Sequence, residues 1–145
     1  MALLAACSGG SSGPLAVDPP TPARQVATLC GVLHDELPSR LDGRATTPVS
    51  PKSPLTAAWG DPAVVLRCGV GKPRTLRPTS ETIEINGVQW FLHETKAAYI
   101  FTTYGREAFV EARVPMSVPR ERATAPLVDL ARPVIASVPV SPPLP

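Results

Sequence analysis

The chain contains little of several features on which particular classes of function depend. Charged residues make up only 18% of it and the net charge is +2, so it lacks the basic surface that nucleic-acid binding requires. No apolar run is long enough to cross a bilayer as a helix. The two histidines, His34 and His93, have no second ligand at helical spacing. We therefore expect no nucleic-acid partner, no metal and no other cofactor.

Catalytic motifs are also missing. The sequence contains neither the G-x-S-x-G elbow of serine hydrolases nor H-E-x-x-H. Gly69-Val70-Gly71-Lys72 lacks the spacing of a phosphate-binding loop and the Ser or Thr that follows its lysine. The sequence thus leans towards a protein without enzymatic activity.

Proline is abundant, with 19 residues, and its distribution divides the chain. Many of the prolines fall in residues 14–22, 48–54 and 139–145, and such stretches are typical of extended linkers. We expect a leader and flexible tether over residues 1–20, one folded domain over 21–138, and a Pro-rich disordered tail over 139–145.

The amino terminus resembles a bacterial lipobox. Leu4-Ala5-Ala6-Cys7 is followed by a Gly/Ser spacer, an order that predicts a lipid on the Cys7 thiol and anchoring to the outer face of the cell membrane. Only three residues precede the box, so we interpret the leader as truncated. The alternative is a cytosolic leader with a chance cysteine.

Apolar spacing predicts a helix from Thr21-Pro22, with Thr21 as its cap, to Leu37. Its apolar face would comprise Val26, Leu29, Cys30, Leu33 and Leu37. Residues 39–58 are interpreted as a loop because three prolines interrupt them. A strand is expected over residues 63–70.

The clearest local signal is a hairpin. Asn86-Gly87 separates two alternating apolar runs, which predicts a type I′ turn. In that register Ile85 faces Val88 and Ile83 faces Trp90. Further strands are expected over residues 98–104 and 108–114.

A last helix is expected over about residues 125–136, with Pro133 inside it. Its apolar stripe would comprise Leu127, Leu130, Ala131, Val134 and Ile135. These elements predict an α+β domain. An antiparallel sheet of about four to five strands would carry an N-terminal and a C-terminal helix on one face.

Cys30 and Cys68 lie on the apolar faces of the first helix and the first strand. If this helix packs on this sheet, the two thiols meet, and outside the cytoplasm they would form a disulfide. The alternative is a pair of reduced core thiols.

One cluster of large and polar residues lies near the ends of the predicted elements. Arginine and aromatic side chains together suit a binding surface. The candidates are Trp59, Asp61, Arg67, Tyr104 and Arg106. The leading hypothesis is an envelope module that binds a protein partner or a cell-wall ligand there, so that alanine at Arg67 and Arg106 would abolish capture without changing the melting temperature. In the structural interpretation, Trp59 fills the core and Arg67 forms a surface ion pair.

Two alternatives remain open. One is an enzyme, or an enzyme accessory, that acts on cell-envelope polymers with Asp61, Glu94 and Glu107 as candidate groups. The other is an assembly module without a concave pocket. The sequence does not distinguish the oligomeric state.

The same region resembles a known family. The block that carries the resemblance is Ala57-Ala58-Trp59-Gly60-Asp61-Pro62-Ala63-Val64-Val65-Leu66-Arg67-Cys68-Gly69-Val70. With Asn86-Gly87-Val88-Gln89-Trp90 and Phe101-Thr102-Thr103-Tyr104-Gly105-Arg106, it looks like the actinobacterial secreted or lipoprotein family called domain of unknown function 3515. The resemblance implies an envelope location and an actinobacterial source. It supplies no activity and no catalytic residue.

Overall fold

A computed structural model of the protein describes residues 13–142, so Cys7 and the predicted lipobox lie outside the described residues. The elements follow in this order: β1 (Leu15–Ala16), α1 (Arg24–Glu36), β2 (Arg40–Leu41), β3 (Arg44–Ala45), β4 (Val49–Ser50), β5 (Thr56–Trp59), β6 (Val64–Cys68), β7 (Ile83–Ile85), β8 (Val88–Glu94), β9 (Ala98–Thr103), β10 (Val110–Pro115), a short 3-10 helix (Arg120–Arg122) and α2 (Ala125–Ser137).

The main sheet is antiparallel and has six strands, in the order β5-β6-β10-β9-β8-β7. The mixed class with an antiparallel sheet and two helices is confirmed. The predicted number of strands was too low because β5 was interpreted as part of a loop. Two small pairs, β1 with β4 and β2 with β3, add to the main sheet.

One face of the main sheet carries the core. The register aligns Leu66, Ala112 and Phe101 across three neighbouring strands, and these residues are at most 2% exposed. Leu33 of α1 and Leu127 of α2 belong to the same buried cluster. The helices also pack on each other, and α2 contacts β2, β7 and β8. α2 therefore contacts α1, the main sheet and the small β2–β3 pair. The prediction placed the two helices on one face of the sheet and did not include these other contacts.

The β7–β8 hairpin has the predicted register. Ile83 pairs with Trp90, and Ile85 pairs with Val88. Asn86 and Gly87 have φ values of +49° and +88°, as a type I′ turn requires. The local sequence was therefore sufficient to predict this element.

α1 begins later than predicted. It starts at Arg24, with Ala23 at the N-cap position and no side-chain cap, so the expected capping role of Thr21 is wrong. Pro22 instead packs against Gly69, where an added Cβ would lie 2.6 Å from the proline Cγ. This close approach keeps the chain extended before the helix.

α2 has nearly the predicted bounds and contains Pro133 as a buried residue. The expected inward position of Ile135 is wrong, since its side chain is 50% exposed. Helical geometry explains the difference, because Ile135 lies seven residues after exposed Val128 and shares its face. Ser137 takes the buried position near the end of the helix.

The predicted loop over residues 39–58 is wrong in large part. It contains β2, β3, β4 and most of β5. Asp42 and Gly43 have positive φ values of 47° and 76° and close the β2–β3 hairpin. The prolines at 48, 51 and 54 lie between strands, where a missing N–H removes no ladder bond.

Hydrogen-bonded structure extends past both predicted domain boundaries. Leu15 N–H donates to Pro48 C=O at 2.8 Å, so part of the expected tether is paired. At the other end, Ser141 N–H donates to Gly105 C=O at 2.8 Å, so the expected tail begins as a paired segment. Within residues 13–142, the helices are all too short or too polar to cross a membrane.

Candidate functional site

Trp59, a predicted binding residue, lies in the core. Its side chain is 1% exposed, and its Nε1 donates a hydrogen bond to Pro38 C=O at 3.0 Å. Pro38 follows α1 closely, so the indole joins the end of this helix to β5. A ligand does not reach Trp59 without opening the core.

Arg67 holds the amino-terminal segment on the main sheet. Its Nε donates to Asp18 C=O at 3.0 Å, and its Nη1 lies 3.5 Å from Glu111 Oε1 on β10. Glu111 also binds Arg113 Nε at 3.0 Å. These contacts direct Nε and Nη1 of the guanidinium to partners inside the protein.

Arg106 ties three parts of the chain together. Its Nη1 donates to Val138 C=O at 2.7 Å, and its Nη2 donates to Gly87 C=O at 3.3 Å. Burial lowers the pKa of Arg106 from its ordinary value. Nearby Tyr104 is 38% exposed and remains accessible to a partner.

The five predicted binding residues do not form one surface. Tyr104 and Arg106 lie in the β9–β10 turn, at the Cys68 end of β6. Trp59 and Asp61 lie at the opposite end, where β5 turns into β6. The sequence places all of them near strand ends, but the β5–β6 turn and the β9–β10 turn lie at opposite ends of β6. The expected single surface is therefore corrected to separate positions.

The candidate catalytic carboxylates are also separated. Asp61 is exposed in the β5–β6 turn, and Glu107 is exposed in the β9–β10 turn at the other end of the sheet. Glu94 ends β8 and pairs with Arg120. β8 is the third strand from β6, about 14 Å away at ~4.8 Å per strand. The geometry places no pair of these carboxylates across a common cleft.

The two core cysteines are joined by a disulfide. Cys30 and Cys68 have a Cα–Cα separation of 5.6 Å and are 38 residues apart in sequence. Both are at most 1% exposed. The predicted pairing is confirmed, and a structural disulfide indicates an oxidising compartment outside the cytoplasm.

His34, one of the two histidines, is exposed on α1. In the described part of the chain, no three His, Cys, Asp or Glu side chains are arranged to hold a metal ion. His34 instead borders the cavity described next.

A groove, here called the β5 groove, runs along the outer edge of β5. It has a volume of about 660 Å³, and most of its exposed lining is carbon. Its walls include His34, Pro48, Val49, Lys52, Pro54 and Ala57. Pockets that bind small molecules or short segments typically have volumes of about 300–1,000 Å³ and mainly apolar walls. The β5 groove has the size and character of a binding site.

The outer edge of β5 is bonded at both ends. At its start, Thr56 N–H donates to Ser53 C=O at 3.5 Å, and near its end it pairs with the chain around Thr46. Thr47 N–H donates to Ala58 C=O at 2.8 Å, and Gly60 N–H donates to Ala45 C=O at 2.9 Å. The pairing of this chain with β5 ends at Thr47, and the residues that follow pair with β1 instead. The two walls separate from this point and form the groove.

This separation leaves backbone groups of β5 without partners. Cys68 N–H bonds Leu55 C=O at 2.9 Å, so the alternation of an antiparallel pair turns the backbone groups of Thr56 and Ala58 away from β6. Across residues 13–142, neither Ala58 N–H nor Thr56 C=O makes a backbone hydrogen bond. Ala58 and Thr56 are nonetheless 2% and 1% exposed, so these backbone groups are covered and the edge is not open to another strand.

The buried hydroxyl of Thr56 does not contribute to this edge. Its Oγ1 has no hydrogen-bond partner within the described residues. However, strand alternation directs this side chain to the sheet face opposite that of Ala57. We therefore assign it no part in the β5 groove.

A second depression of about 660 Å³ lies beside the start of α1. Arg67 and Glu107 both line it, so it carries charges of both signs. It has more polar walls than the β5 groove and favours no class of ligand.

Sequence reasoning missed the β5 groove because its walls carry no chemical motif. Thr56-Ala57-Ala58 has short side chains and little alternation, and three prolines precede it. The one usable signal was Asp42-Gly43, a type I′ turn pair that predicts a hairpin inside the supposed loop.

Comparison with known proteins gives a family and no activity. No curated protein and no solved structure matches the chain significantly. A family model described as "Protein of unknown function (DUF3515)" matches residues 1–143. Because this match spans almost the whole chain, the protein belongs to the DUF3515 family, as its sequence motifs predicted.

Proposed function

We propose that this protein is an exported binding domain, anchored to the outer face of the cell membrane through Cys7, whose ligand site is the β5 groove. It binds an envelope partner or ligand and performs no chemistry on it. The observation that carries this proposal is the size and the mainly apolar lining of the β5 groove. The separated carboxylates give the enzymatic alternative no support.

Export is supported by the covalent structure of the core. The Cys30–Cys68 disulfide is typical of proteins that fold outside the cytoplasm. The lipobox-like Leu4-Ala5-Ala6-Cys7 supports lipid attachment, and two or more acyl chains give stable membrane binding. A domain held in this way can capture partners at the membrane surface.

Anchoring is tested by the intact mass of the protein extracted from its native membrane and alkylated without reductant. We expect a chain that begins at Cys7, carries acyl groups and has no alkylated thiol. A full-length chain without acyl groups and with three alkylated thiols would refute export and anchoring together.

The ligand site is tested with the dye 8-anilinonaphthalene-1-sulfonate, which has an apolar body and one negative charge. We expect binding in the β5 groove, detected by enhanced fluorescence. Thr46→Trp places a large ring at the groove wall and should weaken binding at least tenfold.

Val128→Trp is the matched control, since Val128 is 49% exposed on α2 and does not line the groove. It should leave dye binding unchanged. Equal dye affinity in the wild type and in both variants would show that the β5 groove is not the binding site.

A further inference from the structure

We propose that the β5 groove binds a single-chain lipid with an anionic head group, such as a long-chain fatty acid, taken from the membrane to which the protein is anchored. This inference rests on the proposed function, because it names the class of ligand for the same groove. The alkyl chain lies along the apolar walls, and the head group pairs with Lys52, an exposed residue of the groove lining.

Several polar groups of the groove walls are bonded inside the protein. Thr47 Oγ1 donates to Gly60 C=O at 2.7 Å, and Thr47 N–H donates to Ala58 C=O at 2.8 Å. Ser53 Oγ accepts from Leu55 N–H at 3.1 Å. The walls therefore present mainly carbon to a ligand. A ligand rich in hydrogen-bonding groups would lose water in the groove without gaining partners for them.

The covered backbone of β5 also favours an apolar chain. Thr56 and Ala58 are 1% and 2% exposed, so their backbone groups are shielded from water before a ligand binds. An alkyl chain that lies over them adds no desolvation cost, whereas a peptide cannot reach them with its own backbone. A sugar would find no Phe, Tyr or Trp ring among the lining residues on which to stack.

The charge of the groove favours an anionic head group. The ionisable residues of its lining are His34 and Lys52, and none of the lining residues is acidic. Both side chains belong to exposed residues, and the ion pairs within residues 13–142 do not involve them. Asp35 and Glu36 follow His34 on α1 but do not line the groove. The Lys52 ammonium is therefore available to an anion, and a cationic head group would meet like charge.

The groove also lies close to the predicted anchor. Val49, one of its lining residues, pairs with Leu15 of β1, and Leu15 follows Cys7 by eight residues. Eight extended residues span at most about 29 Å, which is close to the thickness of the hydrocarbon core of a bilayer. An anchored domain therefore holds the groove within reach of lipids that leave the membrane.

The ligand class is tested by isothermal titration calorimetry of the full chain, with its disulfide intact and each ligand below its micelle concentration. Dodecanoate and dodecyltrimethylammonium have alkyl chains of nearly the same length and opposite charges. We expect dodecanoate to bind at least tenfold more tightly than the ammonium compound. Decanoate should bind roughly tenfold more weakly than dodecanoate, because it removes fewer CH₂ groups from water. Equal affinities of decanoate and dodecanoate would overturn the placement of the chain along the walls.

The head group is tested by reversing the charge at Lys52. Lys52→Glu should weaken dodecanoate binding at least fivefold and should not weaken dodecyltrimethylammonium binding. Lys96→Glu is the matched control, since it makes the same change in net charge at an exposed residue between β8 and β9 that does not line the groove. It should leave dodecanoate affinity within twofold of the wild type. Equal dodecanoate affinity in the two variants would overturn the pairing with an anionic head group.

The inference and the proposed function fail in different ways. Thr46→Trp should weaken the binding of both the dye and dodecanoate at least tenfold. If only the dye responds to this variant, or if dodecanoate binds no better than dodecyltrimethylammonium, the groove remains the ligand site and a lipid is not its ligand. If neither the dye nor dodecanoate responds, the proposed function is overturned along with the inference.

The source of the lipid is tested in membranes that contain the acylated protein. A hexadecanoic acid with a photoreactive diazirine in its chain should crosslink to residues 46–58, which include all of the lining residues except His34. The Cys7→Ala variant, which carries no anchor, should be crosslinked at the same residues in solution. Crosslinking in this variant alone would mean that an acyl chain on Cys7 fills the groove, and would overturn the assignment to a free lipid.

Discussion

The β7–β8 hairpin and the proline-rich segment from Arg40 to Trp59 differ in how far apart in sequence their paired strands lie. In the hairpin, each strand pairs with its sequence neighbour, and the Asn86-Gly87 turn fixes the register. In the proline-rich segment, β4 pairs with β1, which precedes α1 in the sequence. β5 pairs with β6 and forms the edge strand of the main sheet. The β7–β8 hairpin is formed by neighbouring strands alone, whereas the proline-rich segment also depends on a distant partner, because β4 pairs with β1.

This difference explains where the β5 groove lies. Hairpin strands run together to their common turn, so few groups between them are left unpaired. Pairing along the outer edge of β5 ends at Thr47, and the chain then separates from β5 to pair with β1, which forms the β5 groove. The least predictable region of the sequence therefore provides the candidate binding site.

The largest effect is expected from removing the Cys30–Cys68 disulfide. This bond joins α1 to β6, the strand that pairs with β5. The Cys30→Ala/Cys68→Ala variant should lose about 4 kcal/mol of unfolding free energy, because the bond closes a loop of 38 residues. Urea unfolding measures this loss. A loss below about 1 kcal/mol would mean that the unfolded chain is already constrained without the bond.

Arg106 tests the hairpin side of the comparison. Arg106→Ala removes the bonds to Val138 C=O and Gly87 C=O and should cost about 2 kcal/mol. The melting temperature should fall, contrary to the sequence-based expectation that it stays unchanged. An unchanged melting temperature would show that these bonds contribute no net stability.

The turn itself gives a sharper test. Gly87 has a φ of +88°, so Gly87→Ala should cost roughly 1–2 kcal/mol because an L-residue is strained there. Gly71→Ala is the control, since an added Cβ would meet nothing within 4 Å and no left-handed φ is required. Equal unfolding free energies for the two variants would contradict the role given to the turn.

The two tryptophans compare the regions directly, because each region contains one. Trp59 Nε1 bonds Pro38 C=O, whereas Trp90 Nε1 has no partner in the described residues. Trp59→Phe should therefore cost about 1 kcal/mol more than Trp90→Phe. Chemical unfolding of both variants measures this difference, and a reversed order would contradict it.

The extent of successful prediction follows the same division. The paired residues of the β7–β8 hairpin lie close together in sequence, so their pairing could be predicted from alternation and turn chemistry. They are Ile83, Ile85, Val88 and Trp90. The Cys30–Cys68 bond could be predicted because the two cysteines fall on the apolar faces of a predicted helix and a predicted strand. The sequence did not predict that Thr56–Trp59 forms a strand, because this segment is a strand only through its pairing with β6.

Side-chain roles were harder to predict than elements. Arg67 and Arg106 were expected on a ligand-binding surface, yet both bond backbone carbonyls of distant segments. No sequence pattern shows which carbonyl an arginine will reach, because that depends on how remote segments cross. The β5 groove escaped prediction for the same reason, as its walls come from α1, β4 and β5.

The most direct test of the β5 groove as the ligand site is an NMR titration of the protein with 8-anilinonaphthalene-1-sulfonate, followed at the backbone amides of Ala57 and Val128. Ala57 lines the groove, whereas Val128 is exposed on α2 and does not line it. We predict that the dye shifts the Ala57 amide resonance and leaves that of Val128 unchanged. Equal shifts at the two amides, or a shift at Val128 alone, would contradict the assignment of the β5 groove as the ligand site.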